Sequence, residues 1–269
     1  MRPSHAERNE VTTRLPPEIE DEYSSWIMTP VSIHPGNSVM CRLSGDGEER
    51  FLKVVRKGWL PSAAAEAERT IWAGSYLPVP RILRAGATDD TTWFISSALD
   101  GIAATSQEFR SDVPALVRRL AAGLRTFHSA PVAACPFSFR LDDALALAER
   151  RLQEGAIDPA RDFHHEHARL SAPDAVRRLI AMRPAVEDLV VCHGDYCVPN
   201  VLIDDGAIAG FVDLGELGVA DRWWDLAVAT WSLDWNFGPG YEEIFLDAYG
   251  TDLDAGRRRY YRLLYDIVS

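Results

Sequence analysis

The spacing of apolar positions changes partway along the chain. Between residues 23 and 100 they come in short runs separated by turn residues. "VMCRLSGDGEERFLKVV", residues 39–55, reads as two strands joined at Ser44-Gly45-Asp46-Gly47, which is hairpin chemistry. "PSAAAEAERTIWAGSYL" then places Pro61 ahead of several alanines and predicts a helix, which Pro78 and Pro80 stop. "TTWFISSALDG" is a further strand ending at Asp100-Gly101.

Farther along, the period becomes helical. Val113, Leu116, Val117, Leu120, Leu124 and Phe127 form one stripe, with Arg118, Arg119 and Arg125 largely off it. "LDDALALAERRLQEG", ended by Gly155, and "SAPDAVRRLIAMRP" are two more helices. Short strands at 189–192, around 201–203 and at 208–212 interrupt them, and helices resume over 220–235, 240–249 and 254–267. The pattern predicts an α+β chain of two lobes. A small β-rich lobe spans 21–98, a larger and mainly helical lobe spans 99–269, and residues 1–20 are a polar, disordered lead-in. No internal repeat or low-complexity segment is present.

Composition narrows the partners. The 269 residues are 47% hydrophobic and 25% charged, ordinary values for a globular chain with a sizeable core. The net charge of −12 opposes nucleic acid and anionic membranes and attracts a polycationic small molecule, although acidity also serves solubility alone. No segment approaches the ~20 apolar residues of a membrane span, and "MRPSHAERNEVTTRLPPE" has no apolar signal core. A cytoplasmic protein with reduced cysteines is expected, as monomer or dimer. Cys192, His193 and Cys197 lack the C-x2-C spacing of a zinc site and have no second pair. Positive charge comes from 26 Arg and only two Lys, and one of these, Lys53, directly follows the apolar pair Phe51-Leu52.

The densest chemistry lies in "VVCHGDYCVPNVLIDDGAIAGFVDLGELGVADRWWDLA". His193-Gly-Asp195 and Asn200 have the spacing H-x-D-x4-N, and Asp213-Leu-Gly215 ends the strand that follows. Phosphoryl transfer asks for such a set: one carboxylate to orient the attacking hydroxyl and accept its proton, and a second carboxylate with an amide oxygen to hold Mg2+. It also asks for a lysine on the strand-rich lobe, oriented by a helix Glu. Lys53 ends the strand Phe51-Leu52-Lys53, and Glu66 and Glu68 lie on the next helix. Each residue alone has an ordinary structural explanation; the order Lys, helix Glu, Asp-x4-Asn, Asp-x-Gly is the specific signal. A P-loop is excluded, since G-x4-G-K-[ST] does not occur.

In these segments, and in "LPVPRIL", "CPFSFRLDDAL", "FGPGYEEIFLDAYG" and "YYRLLYD", the chain resembles the aminoglycoside 3'-phosphotransferases, small-molecule kinases with a protein-kinase-like fold. The resemblance implies ATP, or GTP, with Mg2+, and transfer to a hydroxyl of a cationic antibiotic. By motif it makes Asp195 the catalytic base, Asn200 and Asp213 the metal ligands, and Lys53 the phosphate lysine with Glu66 as its partner. It further places Phe51 on the nucleotide base, Ser97 and Leu99 in the base-binding linker, and Ser38 in the phosphate-covering turn Gly36-Asn37-Ser38. His193 is expected to support the loop, and Asp225 to bond it from a helix. The substrate acids implied are Asp158, Asp162, Glu166 and Asp266.

Around those acids the chain departs from the family. His164 and His165 stand among them, read here as a solvated or pH-sensitive loop. Tyr265 replaces one of two adjacent C-terminal acids, and Glu216 stands where Arg is common. Two other functions compete: a kinase of another amino-sugar or small-metabolite hydroxyl, which the altered C-terminus favours, and a nucleotide-binding regulator without turnover, which the complete Lys, Asp, Asn, Asp set opposes.

Overall fold

The computed structural model describes residues 17–34 and 36–269, so most of the expected lead-in, residues 1–16, lies outside the described residues. The chain divides between Leu99 and Asp100 into two compact units.

The first unit comprises α1 (Pro17–Glu22), β1 (Ile27–His34), β2 (Ser38–Gly45), β3 (Glu48–Arg56), α2 (Ala63–Ala73), β4 (Ile82–Ala87) and β5 (Thr91–Ser97). The strands form one antiparallel sheet in the order β1-β2-β3-β5-β4. The β2–β3 hairpin turns where the Gly-rich sequence predicts. Asp46 and Gly47 both take positive φ, 52° and 77°, the combination a two-residue turn needs to match strand twist. One face of the sheet, with Leu43, Leu52, Val54, Trp93 and Ile95, packs with Ile19 and Tyr23. The expected lead-in is therefore too long: residues 17–20 belong to α1, and Ile19 is fully buried in this core. The other face packs Val55 and Phe94 against Ala63 and Ala67 of α2.

The second unit contains β6 (Ile102–Ala103), α3 (Val113–Phe127), α4 (Leu141–Gln153), the short α5 (Pro159–Asp162), α6 (Ala172–Ala181), β7 (Leu189–Cys192), β8 (Val201–Asp204), β9 (Ala207–Phe211), β10 (Gly218–Asp221), α7 (Trp223–Phe237), α8 (Glu242–Tyr249) and α9 (Ala255–Val268). The predicted stripe of α3 is buried at Leu116, Val117, Leu120, Leu124 and Phe127. Residues 220–221, expected to begin a helix, instead end β10, which pairs antiparallel with β7. Asp221 explains the change: buried at the strand's end, its carboxylate accepts from the N–H groups of Asp188 and Trp223 and pairs with Arg257. The helix α7 starts only after these bonds are made. Among the described residues no helix is long and apolar enough to cross a membrane.

Candidate active site

In the first unit, strand alternation selects the lysine. Leu52 and Val54 point to the α1 face, so Lys53 shares the α2 face with Val55. There its Nζ donates to Glu66 Oε2 at 2.6 Å. Helix phase settles the choice between acids: Glu66 is buried on the sheet side of α2, whereas Glu68 is exposed. Ser62 fixes the start of that helix by accepting from the N–H of Ala65. Of the other residues expected near a nucleotide, Phe51 is half-buried on β3. Ser38 opens β2, with Oγ 3.3 Å from His34 Nδ1. The N–H of Ser97 donates to Arg81 O at 2.9 Å. Leu99 closes the unit outside any strand.

In the second unit, the loop after β7 carries the catalytic candidates. Asp225, in the first turn of α7, accepts from His193 N at 2.7 Å, Gly194 N at 2.9 Å and His128 Nε2 at 2.9 Å. It thus takes up backbone donors that would otherwise be buried without partners. His193 is fully buried and both ring nitrogens are engaged. Nδ1 accepts from Asp195 N at 3.3 Å, and Nε2–H donates to Val212 O at 3.0 Å. The N–H of Val212 in turn donates to Asn200 O at 3.0 Å. One histidine and the backbone of Val212 therefore hold Asp195, Asn200 and the residue before Asp213 in register.

Gly194, with φ of 90°, is a position only glycine fills: a Cβ there would lie 2.5 Å from Glu216 Cβ and 2.6 Å from Glu216 O. Asp213 also has positive φ, 63°, an uncommon conformation for a non-glycine residue that clusters at functional sites.

The carboxylate of Asp195 is held from three sides. Oδ2 accepts from Asn200 Nδ2 at 2.9 Å; Oδ1 accepts from Cys197 Sγ at 2.9 Å and from Tyr265 OH at 3.1 Å. With Nδ2 turned to Asp195, the Asn200 Oδ1 is the atom left to coordinate a cation. Burial, followed by the charges of Asp195 and Asp213, pushes Glu216 up to about 8. The charges of Asp195 and Asp213 thus oppose ionisation of Glu216, an environment that a divalent cation would relieve. Hard oxygen donors on Asn200 and Asp213 fit Mg2+.

The expected substrate acids are brought together less openly than foreseen. Asp266 is a correction: its side chain is buried, accepting from His164 N and Nδ1, at 3.0 and 2.5 Å, and from His167 Nδ1 at 2.7 Å. Burial acts to raise it, but the bonds from His164 and His167 prevail and hold it below the usual carboxylate range. Asp158 caps α5 through Ala160 N, Asp162 pairs with Arg161, and Glu166 pairs with Arg262 at 2.8 Å. The solvated-loop reading holds for exposed His165 but fails for His164, which stacks on Trp235 at 4.5 Å and 7° and also meets Trp231. The sequence weighed Cys197 only as a zinc ligand, and its bond to Asp195 gave no signal there.

A five-stranded sheet carrying a lysine–glutamate pair, followed by a helical unit whose Asp-x4-Asn loop is tied to an Asp-x-Gly segment, defines a kinase-like phosphotransferase. The chain belongs to the phosphotransferase enzyme family, whose model matches residues 31–263. It is 40% identical to the aminoglycoside 3'-phosphotransferase of Streptomyces fradiae over 75% of this chain and 78% of that protein. It is 34% identical to the enzyme of the same name from Niallia circulans over 94% and 97%. A solved aminoglycoside 3'-phosphotransferase of type VIII superposes with a TM-score of 0.79 at 32% identity, covering 90% of this chain and 93% of that one. An aminoglycoside phosphotransferase from Streptomyces rimosus, solved with ADP and streptomycin, gives 0.78 at 27%, covering 93% and 96%.

Proposed function

We propose that this chain transfers the γ-phosphoryl group of ATP to a hydroxyl of an aminoglycoside, as a 3'-type enzyme that inactivates the antibiotic. The bond network around Asp195 carries the reading: a carboxylate fixed by Asn200, Cys197 and Tyr265, on a loop anchored by His193 and Asp225. Held this way, Asp195 orients the acceptor hydroxyl and takes its proton, so that positioning and fixed charge supply most of the acceleration. Lys53, oriented by Glu66, is assigned to the α- and β-phosphates of ATP. Asn200 and Asp213 would hold Mg2+, which neutralises phosphate charge when bound. A relative solved with ADP and streptomycin supports this assignment.

The test is turnover by the purified protein with ATP, and separately GTP, across kanamycin-, neomycin- and streptomycin-type compounds, read by ADP or GDP release and product mass. A product heavier by one phosphoryl group is expected for a 3'-hydroxyl aminoglycoside. No release across the panel would remove the aminoglycoside assignment. The alternative, a different amino-sugar or small-metabolite hydroxyl, draws on one observation: the four acids expected to bind substrate all have partners within the protein.

A further inference from the structure

The C-terminal helix α9 reaches the catalytic loop at Tyr265. Tyr265 is half-buried, and its hydroxyl donates to Asp195 Oδ1 at 3.1 Å. The thiol of Cys197 donates to the same oxygen at 2.9 Å. A carboxylate oxygen offers two lone-pair positions, so these donors fill Oδ1. Asn200 Nδ2 takes one position on Oδ2, and one lone pair there is left for a reacting proton. Both donors keep their protons. Burial, then the charge of Asp195, pushes the Tyr265 phenol and the Cys197 thiol well above their usual ranges.

We propose that Tyr265 is a positioning residue for phosphoryl transfer, which with Cys197 occupies Asp195 Oδ1 and directs the acceptor's proton to Oδ2. The inference rests on Asp195 being the base. As the new O–P bond forms, the acceptor's O–H bond breaks and its proton passes to Oδ2, and from there to water. The bond from the γ-phosphorus to the bridging oxygen breaks, and its electron pair leaves on the nucleoside diphosphate. Without the phenol, Asp195 turns about its own side-chain bond and the free lone pair leaves the line of attack; small misplacements of this kind are costly to rate.

Tyr265 is itself anchored. The next residue, Asp266, is the acceptor for His164 and His167, which fixes the last turns of α9 against the 163–167 loop. The ring of Tyr265 is therefore not free to follow Asp195 if the carboxylate swings.

The experiment compares Tyr265→Phe and Asp195→Asn with the wild type in steady-state assays on the best acceptor of the panel. For Tyr265→Phe, kcat is expected to fall about tenfold while both KM values stay within about twofold, the split that marks an interaction made in the transition state. Its solvent deuterium isotope effect on kcat should rise, because transfer to a misaligned base becomes more rate-limiting; lost packing alone would not produce that. Wild-type kcat and isotope effect in Tyr265→Phe, with Asp195→Asn inactive, would overturn the role of Tyr265 and leave the base in place. Substantial turnover by Asp195→Asn would instead remove the base itself. If Tyr265→Phe is poorly folded, 3-fluorotyrosine at 265 keeps the ring and the donor while changing the donor's strength. Altered kcat with unchanged KM then supports the proposal, and identical kinetics overturn it.

Discussion

Glu216 shows how one side chain reports the charge of the whole site. Burial and the nearby Asp195 and Asp213 push it up to about 8 from an ordinary value of 4.5. Between those two values the folded protein holds a proton that the unfolded chain has released. The contribution of Glu216 to the stability of the metal-free protein therefore falls as pH rises from about 4.5 to about 8, and levels off above that. Gln mimics the protonated acid, so Glu216→Gln should match the wild type near pH 4.5 and exceed it by a few kcal/mol at pH 8. Urea titrations in excess chelator at several pH values measure this, and equal pH slopes for both proteins would contradict it. A divalent cation should shrink the wild type's deficit, since it offsets the neighbouring charges.

At the scale of elements, α7 exists in part to hold the loop after β7. The carboxylate of Asp225 accepts three buried donors, from His193, Gly194 and His128. Removing it leaves each donor without a partner, at about 1–3 kcal/mol apiece. Asp225→Ala should therefore lose about 3 kcal/mol or more of unfolding free energy, with Asp225→Asn falling between it and the wild type; an unchanged denaturation midpoint would refute the anchoring role. Much of this was legible beforehand, because it follows from local rules. Alternation in "FLKVV" put Lys53 on the opposite face from Leu52, and Asp-Gly at 46–47 made the hairpin. What could not be read depended on partners distant along the chain. Ile19 is buried only because the sheet offers a face for it. Residues 220–221 extend a strand because β7 pairs with them, and Asp266 turns inward because His164 and His167, about 100 residues earlier, approach it. Nor does any periodicity announce that Tyr265 meets Asp195 across 70 positions.

For the whole molecule the relevant quantity is the net charge of −12. Of the four acids expected to touch the substrate, Asp162, Glu166 and Asp266 are paired with basic side chains, and the exposed Asp158 caps α5. Attraction of a polycationic acceptor therefore falls more heavily on the summed field than on a dedicated set of ion pairs. A long-range field and close pairs respond differently to salt: the Debye length shrinks from roughly 30 Å at 0.01 M to roughly 10 Å at 0.1 M, whereas buried pairs are little screened. At saturating nucleotide, kcat/KM for a polycationic aminoglycoside should fall about tenfold over that range, within the span seen for electrostatically steered association. Meanwhile kcat should stay level, because the bound complex is already formed. An acceptor carrying a single amino group should show a much weaker dependence. If kcat/KM for the polycation were flat in salt, recognition would have to come from short-range contacts alone. The acidity of the chain would then serve solubility and not capture.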